Sequence, residues 1–179
     1  MADGGVGTLI ILIASLLISG IAGIVLIEAW GEVADANQSA VKARAADIET
    51  DVSFAGDPAM VPLDTSAGAG SYELTFIVQN SGSRVLDHTT LALFVDGIAF
   101  GDVGGANVAQ KLADGSALPA DHKWGPGDII VFEVTETAAN EFNGFVDGTG
   151  ITLTIVAESV VIGGHSGTDS ETYEVRLNV

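Results

Sequence analysis

The chain has 179 residues, a formal net charge of −18 from 24 acidic against six basic residues, and no cysteine. This balance makes nucleic acid and anionic lipid surfaces poor partners, and the missing cysteine excludes disulfides, thiolate zinc sites and cysteine nucleophiles. All the acids except Asp3 follow an apolar N-terminal run and are interleaved with apolar strands. Such a surface reads as folded and kept soluble in high salt, where self-repulsion is screened, rather than as disordered.

Residues Val6 to Ile27 form 22 consecutive uncharged, mostly apolar positions. At about 1.5 Å of rise per residue, a helix of that length spans roughly 30 Å, the hydrocarbon thickness of a bilayer. The first four residues, Met1-Ala2-Asp3-Gly4, carry no Lys or Arg, and the run exceeds a typical secretory signal core, so cleavage by ordinary signal peptidase is not expected. Ser15, Ser19 and Gly23 are spaced by four, the small-xxx-small pattern that lets membrane helices approach closely. Thr8, Ala22 and Gly20 are expected near the same face, and Trp30 sits where an interfacial aromatic belongs. The helical pattern continues through Val33, Ala34, Val41 and Ala45. Asn37-Gln38-Ser39 is the one N-glycosylation sequon, which makes Asn37 a candidate modification site. Lys42 and Arg44 are balanced by Asp47 and Glu49, so the flanking charge does not orient the helix.

From Ile48 the period changes to alternation, which divides the chain into a transmembrane and stalk helix over 1–47 and a head over 48–179. Segment 55–70, with two prolines and several Gly and Ala residues, reads as a loop between them. Tyr72, Leu74, Phe76 and Val78 alternate with polar residues and stop at Asn80-Ser81-Gly82-Ser83. Leu91 to Val95 turns at Asp96-Gly97 into Ile98 to Phe100, a short hairpin. Gly125-Pro126-Gly127-Asp128 introduces Ile129 to Val134, and Gly148 to Gly150 precedes Ile151 to Ala157. The last strand carries Tyr173, Val175, Leu177 and Val179 on one face and is expected at an edge or as a pairing strand. About seven short strands separated by Gly- and Asp-rich turns predict an antiparallel sandwich of immunoglobulin-like type. The fold class is therefore α+β, a long transmembrane helix followed by an all-β head.

Reactive chemistry is sparse. His88, His122 and His165 are scattered in turn-like settings without metal-ligand spacing, and no Ser/His/Asp signature occurs. Gly101-Asp102-Val103-Gly104-Gly105 lacks the Lys of a phosphate cradle and reads as a turn. Asp96, Asp102, Asp114, Asp121, Asp147 and Asp169 fit no EF-hand spacing and read as solvated acids rather than calcium ligands. No catalytic residue, no cofactor and no metal are expected.

The segment Gly4-Gly5-Val6-Gly7-Thr8-Leu9-Ile10-Ile11-Leu12-Ile13-Ala14 resembles the start of mature archaellins, the subunits of the archaeal flagellar filament. The likeness continues through Ile21-Ala22-Gly23-Ile24-Val25-Leu26-Ile27 and covers about 30 residues. It implies an outer β-sandwich behind the helix. Archaellin leaders end in a basic residue before the cleaved glycine, whereas Met1-Ala2-Asp3 precede Gly4 here. The head is similar to the archaellum-associated flagella-related proteins F and G, and to the G type in particular. The matching segments are Ala46-Asp47-Ile48-Glu49 with Asp57-Pro58, Val78-Gln79-Asn80-Ser81-Gly82, Phe94-Val95-Asp96-Gly97 and Trp124-Gly125-Pro126-Gly127-Asp128.

That resemblance implies a structural motility protein, a stator-like component that links the archaellum motor to the cell envelope. Its expected partners are the membrane, homo- or hetero-oligomers with related archaellin-like proteins, and the S-layer; nucleic acid is not among them. Its expected place is the cell membrane, single-pass, with the head outside. Residues 6–27 would give the hold, with Thr8, Ser15, Ser19, Ala22 and Gly23 as helix-packing contacts, and exposed sheet edges the grip. The alternative is a filament subunit whose helices pack into the filament core, and a second alternative is a membrane-tethered surface binding module.

Overall fold

The structure is a computed structural model that describes residues 4–68, 70–100, 107–136 and 141–179. The glycine-rich segment 101–105 with Asp102, and Met1-Ala2-Asp3, lie outside these. Among the described residues, one helix, α1 (Gly4–Glu49), is followed by nine strands. Two compact units divide the chain, Met1–Lys42 and Ala43–Val179.

In the first unit, α1 carries the apolar run with its side chains outward. Leu9, Ile13, Leu17, Ile21 and Ile27 are all exposed, between 49% and 73%. An apolar helix ordinarily hides one face, and here nothing within the unit covers any of it.

The second unit holds the last turns of α1 and the strands β1 (Val52–Phe54), β2 (Val61–Asp64), β3 (Glu73–Asn80), β4 (Leu86–Val95), β5 (Ile98–Phe100), β6 (Val108–Lys111), β7 (Ile129–Thr135), β8 (Gly150–Ser159) and β9 (Thr168–Asn178). They run β5-β4-β8-β9-β2-β3-β7-β6, with β1 also on β3. The pairs β4–β5, β4–β8 and β8–β9 make one antiparallel sheet; in the other, β1, β2 and β7 pair with β3, and β6 pairs with β7. The two sheets meet where β2 runs parallel to β9, Val61 opposite Leu177, which nearly closes the sandwich. The fold is thus the expected helix plus β-head. The final strand is flanked by β8 and β2, which makes it an interior pairing strand and leaves β5 and β6 as the ends of the described path.

Alternation along the strands builds the core. Leu74, Phe76 and Val78 of β3 face inward with Ile130, Phe132 and Val134 of β7, and Leu153, Ile155 and Ala157 of β8 meet them from the other sheet; all are buried. Phe76 stacks on Phe132 at 5.4 Å between centroids, and Phe100 on Phe142 at 5.3 Å. The Asp96-Gly97 hairpin has positive φ at both central residues, 50° and 79°, the conformation whose twist matches the strands it joins.

Three strands escape the sequence pattern. β1 and β6 are three and four residues long, too short to show a period. β2 lies within the segment read as a loop because Pro62 breaks its strand signature; only Val61 and Leu63 on its buried face betray it. β4 begins at Leu86 rather than Leu91, its alternation masked by a register shift between Asp87 and Ala92. Within that irregularity the Asp87 carboxylate accepts from the Thr89 amide and hydroxyl at 2.9 and 2.6 Å.

Glu136 is a buried carboxylate that serves as a staple. Its oxygens accept from the amides of Gly70, Tyr72 and Phe142, tying two loops to the end of β7. Removing it strands buried donors, at about 1–3 kcal/mol for a buried group left unpaired. Glu136→Ala is therefore expected to lower folding stability by about 2 kcal/mol in urea titrations. The Thr89 hydroxyl and amide hold the Asp87 carboxyl below its usual pKa. Its contribution to stability is thus present above the unfolded carboxylate range and is lost as pH falls through the lowered folded value. Thr89→Val should raise the Asp87 pKa in an NMR titration and bring that loss to higher pH.

Candidate functional site: the apolar helix and the pole of the head

The first functional element is α1 itself. Over Gly5–Glu49 it is long and apolar enough to cross a membrane, and its apolar window is unburied. At 100° per residue, Thr8, Ser15, Ser19, Ala22 and Gly23 fall within an arc of about 100°, so the five expected packing residues share one face; Gly20 sits off that arc. A Cβ added at Gly23 would meet nothing within the protein, so the space over it is open. Asn37 is exposed on the same helix.

The second element is the pole of the head that receives the last turn of α1, within the second unit. Thr50 ends the helix, its amide bonded to the Ala46 and Asp47 carbonyls at 3.1 and 3.2 Å and its hydroxyl to the Ala46 carbonyl at 2.8 Å. Ala46 is buried. A Cβ at Gly167 would collide with the Ala46 carbonyl and the Thr50 hydroxyl, and one at Gly82 with the Glu49 carbonyl. The head therefore meets the helix backbone directly, at two positions where only glycine fits. The Glu49 carbonyl accepts from the Ser83 and Arg84 amides, and the Arg84 guanidinium lies 3.5 Å from the Glu49 carboxylate.

Asn80 organises this pole. Wholly buried, it donates to the Arg84 and Trp124 carbonyls, both at 2.8 Å, and accepts from the Gly82 amide at 3.1 Å. Its own backbone bonds Asp128 and Gly127, while the buried Trp124 indole donates to the Asp128 carbonyl at 2.9 Å. Two turns distant in sequence, Asn80-Ser81-Gly82 and Trp124-Gly125-Pro126-Gly127-Asp128, are thus interlocked beneath the end of the helix.

Of the three histidines expected in turns, His122 and His165 lie in turns and His88 does not. His88 lies in β4, not in a turn, and is buried with Nδ1 2.9 Å from the Gln110 side chain. His122 packs beside it at 6.2 Å between rings, whereas His165 stands apart in the β8–β9 turn. Of the aspartates, Asp169 is in β9 and joins Asp51 and Glu171, whose oxygens lie within 4.8 Å of one another. Asp169 also accepts from the Val52 amide at 3.0 Å. Burial, then the charge of these three acids, holds the Tyr173 phenol above its usual pKa. Sequence spacing missed this trio because Asp169 and Glu171 sit on the inward row of β9, where the alternation reads as core.

The architecture is thus a long apolar helix followed by a β-sandwich head. Residues 2–160 match the archaeal-type flagellin family, and the chain belongs to that family. Its fold is similar to a chain in the structure of the archaeal flagellum of Methanospirillum hungatei strain JF1, at 14% identity and a TM-score of 0.58, covering 96% of this chain and 93% of that one. No curated protein matches the chain. The family is structural rather than enzymatic.

Gly167→Val places a branched side chain against the Ala46 carbonyl. Strained or overpacked sites of this kind cost about 1–3 kcal/mol, so its thermal midpoint is expected to fall. Gly150→Ala, with open space around it and no positive φ, should fall far less in the same melts.

Proposed function

We propose that the chain is a filament subunit of an archaellum, in which copies of α1 pack together and the sandwich heads form the outer surface. The observation that carries this reading is an apolar helix with every face uncovered, attached to a head with a complete core of its own. A single lipid-facing anchor would suffice to hold a stator. The match to the archaellin family, and the likeness in fold to an archaeal flagellum, favour the filament over the stator-like role that the head motifs imply. In this reading Thr8, Ser15, Ser19, Ala22 and Gly23 form the close-packing face, since small side chains let helix backbones approach. The same helix would hold the subunit in the cell membrane before assembly, the hydrocarbon exchanging for neighbouring helices. Asn37, exposed on the helix, would be open to glycosylation only before helices enclose it.

Intact mass and N-terminal sequencing of sheared surface filaments and of membranes test the reading. The chain is expected as a major filament component; recovery from the membrane fraction alone would return the stator-like role. Ser19→Leu and Gly23→Leu should shorten or abolish filaments while the thermal midpoint of the head stays unchanged.

A further inference from the structure

Asparagine is a chemically labile side chain. Its carbonyl carbon lies one ring closure away from the backbone nitrogen of the next residue, and ammonia leaves that carbon far more readily than an oxide leaves a carboxylate. Of the six asparagines in the chain, Asn143 is the one that precedes a glycine. Glycine has no side chain to crowd the attacking nitrogen and turns most freely about φ. The other positions suit the reaction poorly. Asn37 lies within α1, and Asn80 is wholly buried with its amide bonded to two carbonyls. Asn107 and Asn178 precede valines, whose stiff branched side chains stand over the nitrogen. Asn140, outside the described residues, precedes a glutamate.

The structure leaves the Asn143-Gly144 pair open. Both residues are exposed. Gly144 has a φ of 95°, and a Cβ added to it would meet nothing within 4 Å. Among the described residues, no hydrogen bond holds the Gly144 amide or the Asn143 side chain. Two Asp-Gly pairs of the head are tied instead: the Gly115 amide donates to the Leu112 carbonyl at 2.9 Å, and the Gly148 amide to the Leu177 carbonyl at 2.8 Å. The residues on either side are firmly held. The Phe145 amide donates to the Phe142 carbonyl at 3.1 Å, closing a turn with positive φ at its third residue. Phe142 is buried, stacks on Phe100 at 5.3 Å and on Phe145 at 5.9 Å, and donates its amide to the buried Glu136 carboxylate at 3.3 Å. A change of backbone length at position 143 therefore acts directly on a core residue.

We propose that Asn143 is a site of spontaneous deamidation, with water as the co-reactant. The Gly144 nitrogen attacks Asn143 Cγ and gives up its proton; the Cγ–Nδ2 bond breaks, and Nδ2 leaves as ammonia with that proton. The product is a five-membered succinimide. Water then opens the ring at either carbonyl. Cleavage between Cγ and the Gly144 nitrogen leaves an aspartate in an ordinary backbone. Cleavage between the main-chain carbonyl carbon and that nitrogen leaves an isoaspartate, in which the chain runs through the former side chain. Either product carries a carboxylate where an amide stood, which adds one negative charge to the chain's −18. The isoaspartate also inserts one C–C bond, about 1.5 Å, into the backbone between Phe142 and Phe145. That insertion breaks the turn hydrogen bond and moves Phe145 off Phe142, whereas the aspartate leaves both in place. The proposal concerns the head alone and stands whether or not the chain builds a filament.

The full chain, kept in detergent, is incubated in mildly alkaline buffer, where loss of the Gly144 amide proton is favoured. Samples over time go to isoelectric focusing and to peptide mapping by mass spectrometry, with fragmentation that tells aspartate from isoaspartate. The expected result is a growing acidic band and loss of the amide at Asn143, as both products, while Asn37, Asn107 and Asn178 keep theirs. Asn143→Gln, whose ring would need six members, should remove the acidic band, and its circular dichroism shows whether the head is folded. Conversion at another asparagine as fast as at Asn143 overturns the assignment. An Asn143 that stays intact in the native chain but converts in the same chain in urea also overturns it, because the folded turn would then protect the bond. No conversion in either state overturns it as well.

Discussion

The exposure of residues 6–27 constrains everything else in this protein. Fourteen large aliphatic side chains from Val6 to Ile27 lie more than 45% open. At about 1.5–3 kcal/mol for each such side chain taken out of water, leaving them in water costs roughly 20–40 kcal/mol. That exceeds the whole folding stability of an ordinary domain, about 5–15 kcal/mol. Covering the run with hydrocarbon or with other helices would recover that free energy. Lipid and a helix bundle satisfy the hydrophobic effect equally. In the proposed filament, the small residues on one face would form a close-approach seam.

The second constraint is local. A helix end leaves its last carbonyls without partners, and in this head they are answered by chain from far away in sequence. Glu49 finds Ser83 and Arg84, and Thr50 turns back onto Ala46. Below them the buried Asn80 amide saturates its bonding with Arg84, Trp124 and Gly82. A buried polar side chain of this kind is stabilising only when fully satisfied, which accounts for the demanding composition of the surrounding turns. Gly82 and Gly167 admit backbone where any side chain would collide, and Trp124 fills the space beneath. Three of the segments that carried the resemblance to archaellum proteins, Ala46–Glu49, Val78–Gly82 and Trp124–Asp128, are therefore parts of a single junction, whereas Asp57-Pro58 and Phe94–Gly97 bond elsewhere, to Arg176 and Thr152.

His88 is buried against Gln110, and the half-buried His122 ring lies 6.2 Å from it. Asp51, Asp169 and Glu171 converge at the seam where β1 faces β9 without a ladder, next to Tyr173. The chain divides into two compact units, and the β-head carries a hydrophobic core of its own.

Much of this was legible along the chain. The apolar run, the strands with strict alternation such as Glu73–Asn80, and the Asp96-Gly97 hairpin follow from local rules: hydrophobic length, period two, and turn residues that tolerate positive φ. Strands that are short or broken, β1, β2 with Pro62, and β6, stayed hidden because their hydrogen bonds and buried faces come from partners elsewhere, not from their own pattern. The closure of the sandwich by parallel pairing of β2 with β9 had no local signal at all, since it joins residues more than 110 apart. The same holds for Glu136 with its three amides, for the acids around Tyr173, and for the interlocked turns at Asn80 and Trp124. Sequence alone determined that an apolar helix must find partners and that an alternating β-head follows it. Only the tertiary structure decided which turns meet at the pole and where apolar surface is left over, because those depend on contacts between segments that the linear pattern does not bring together.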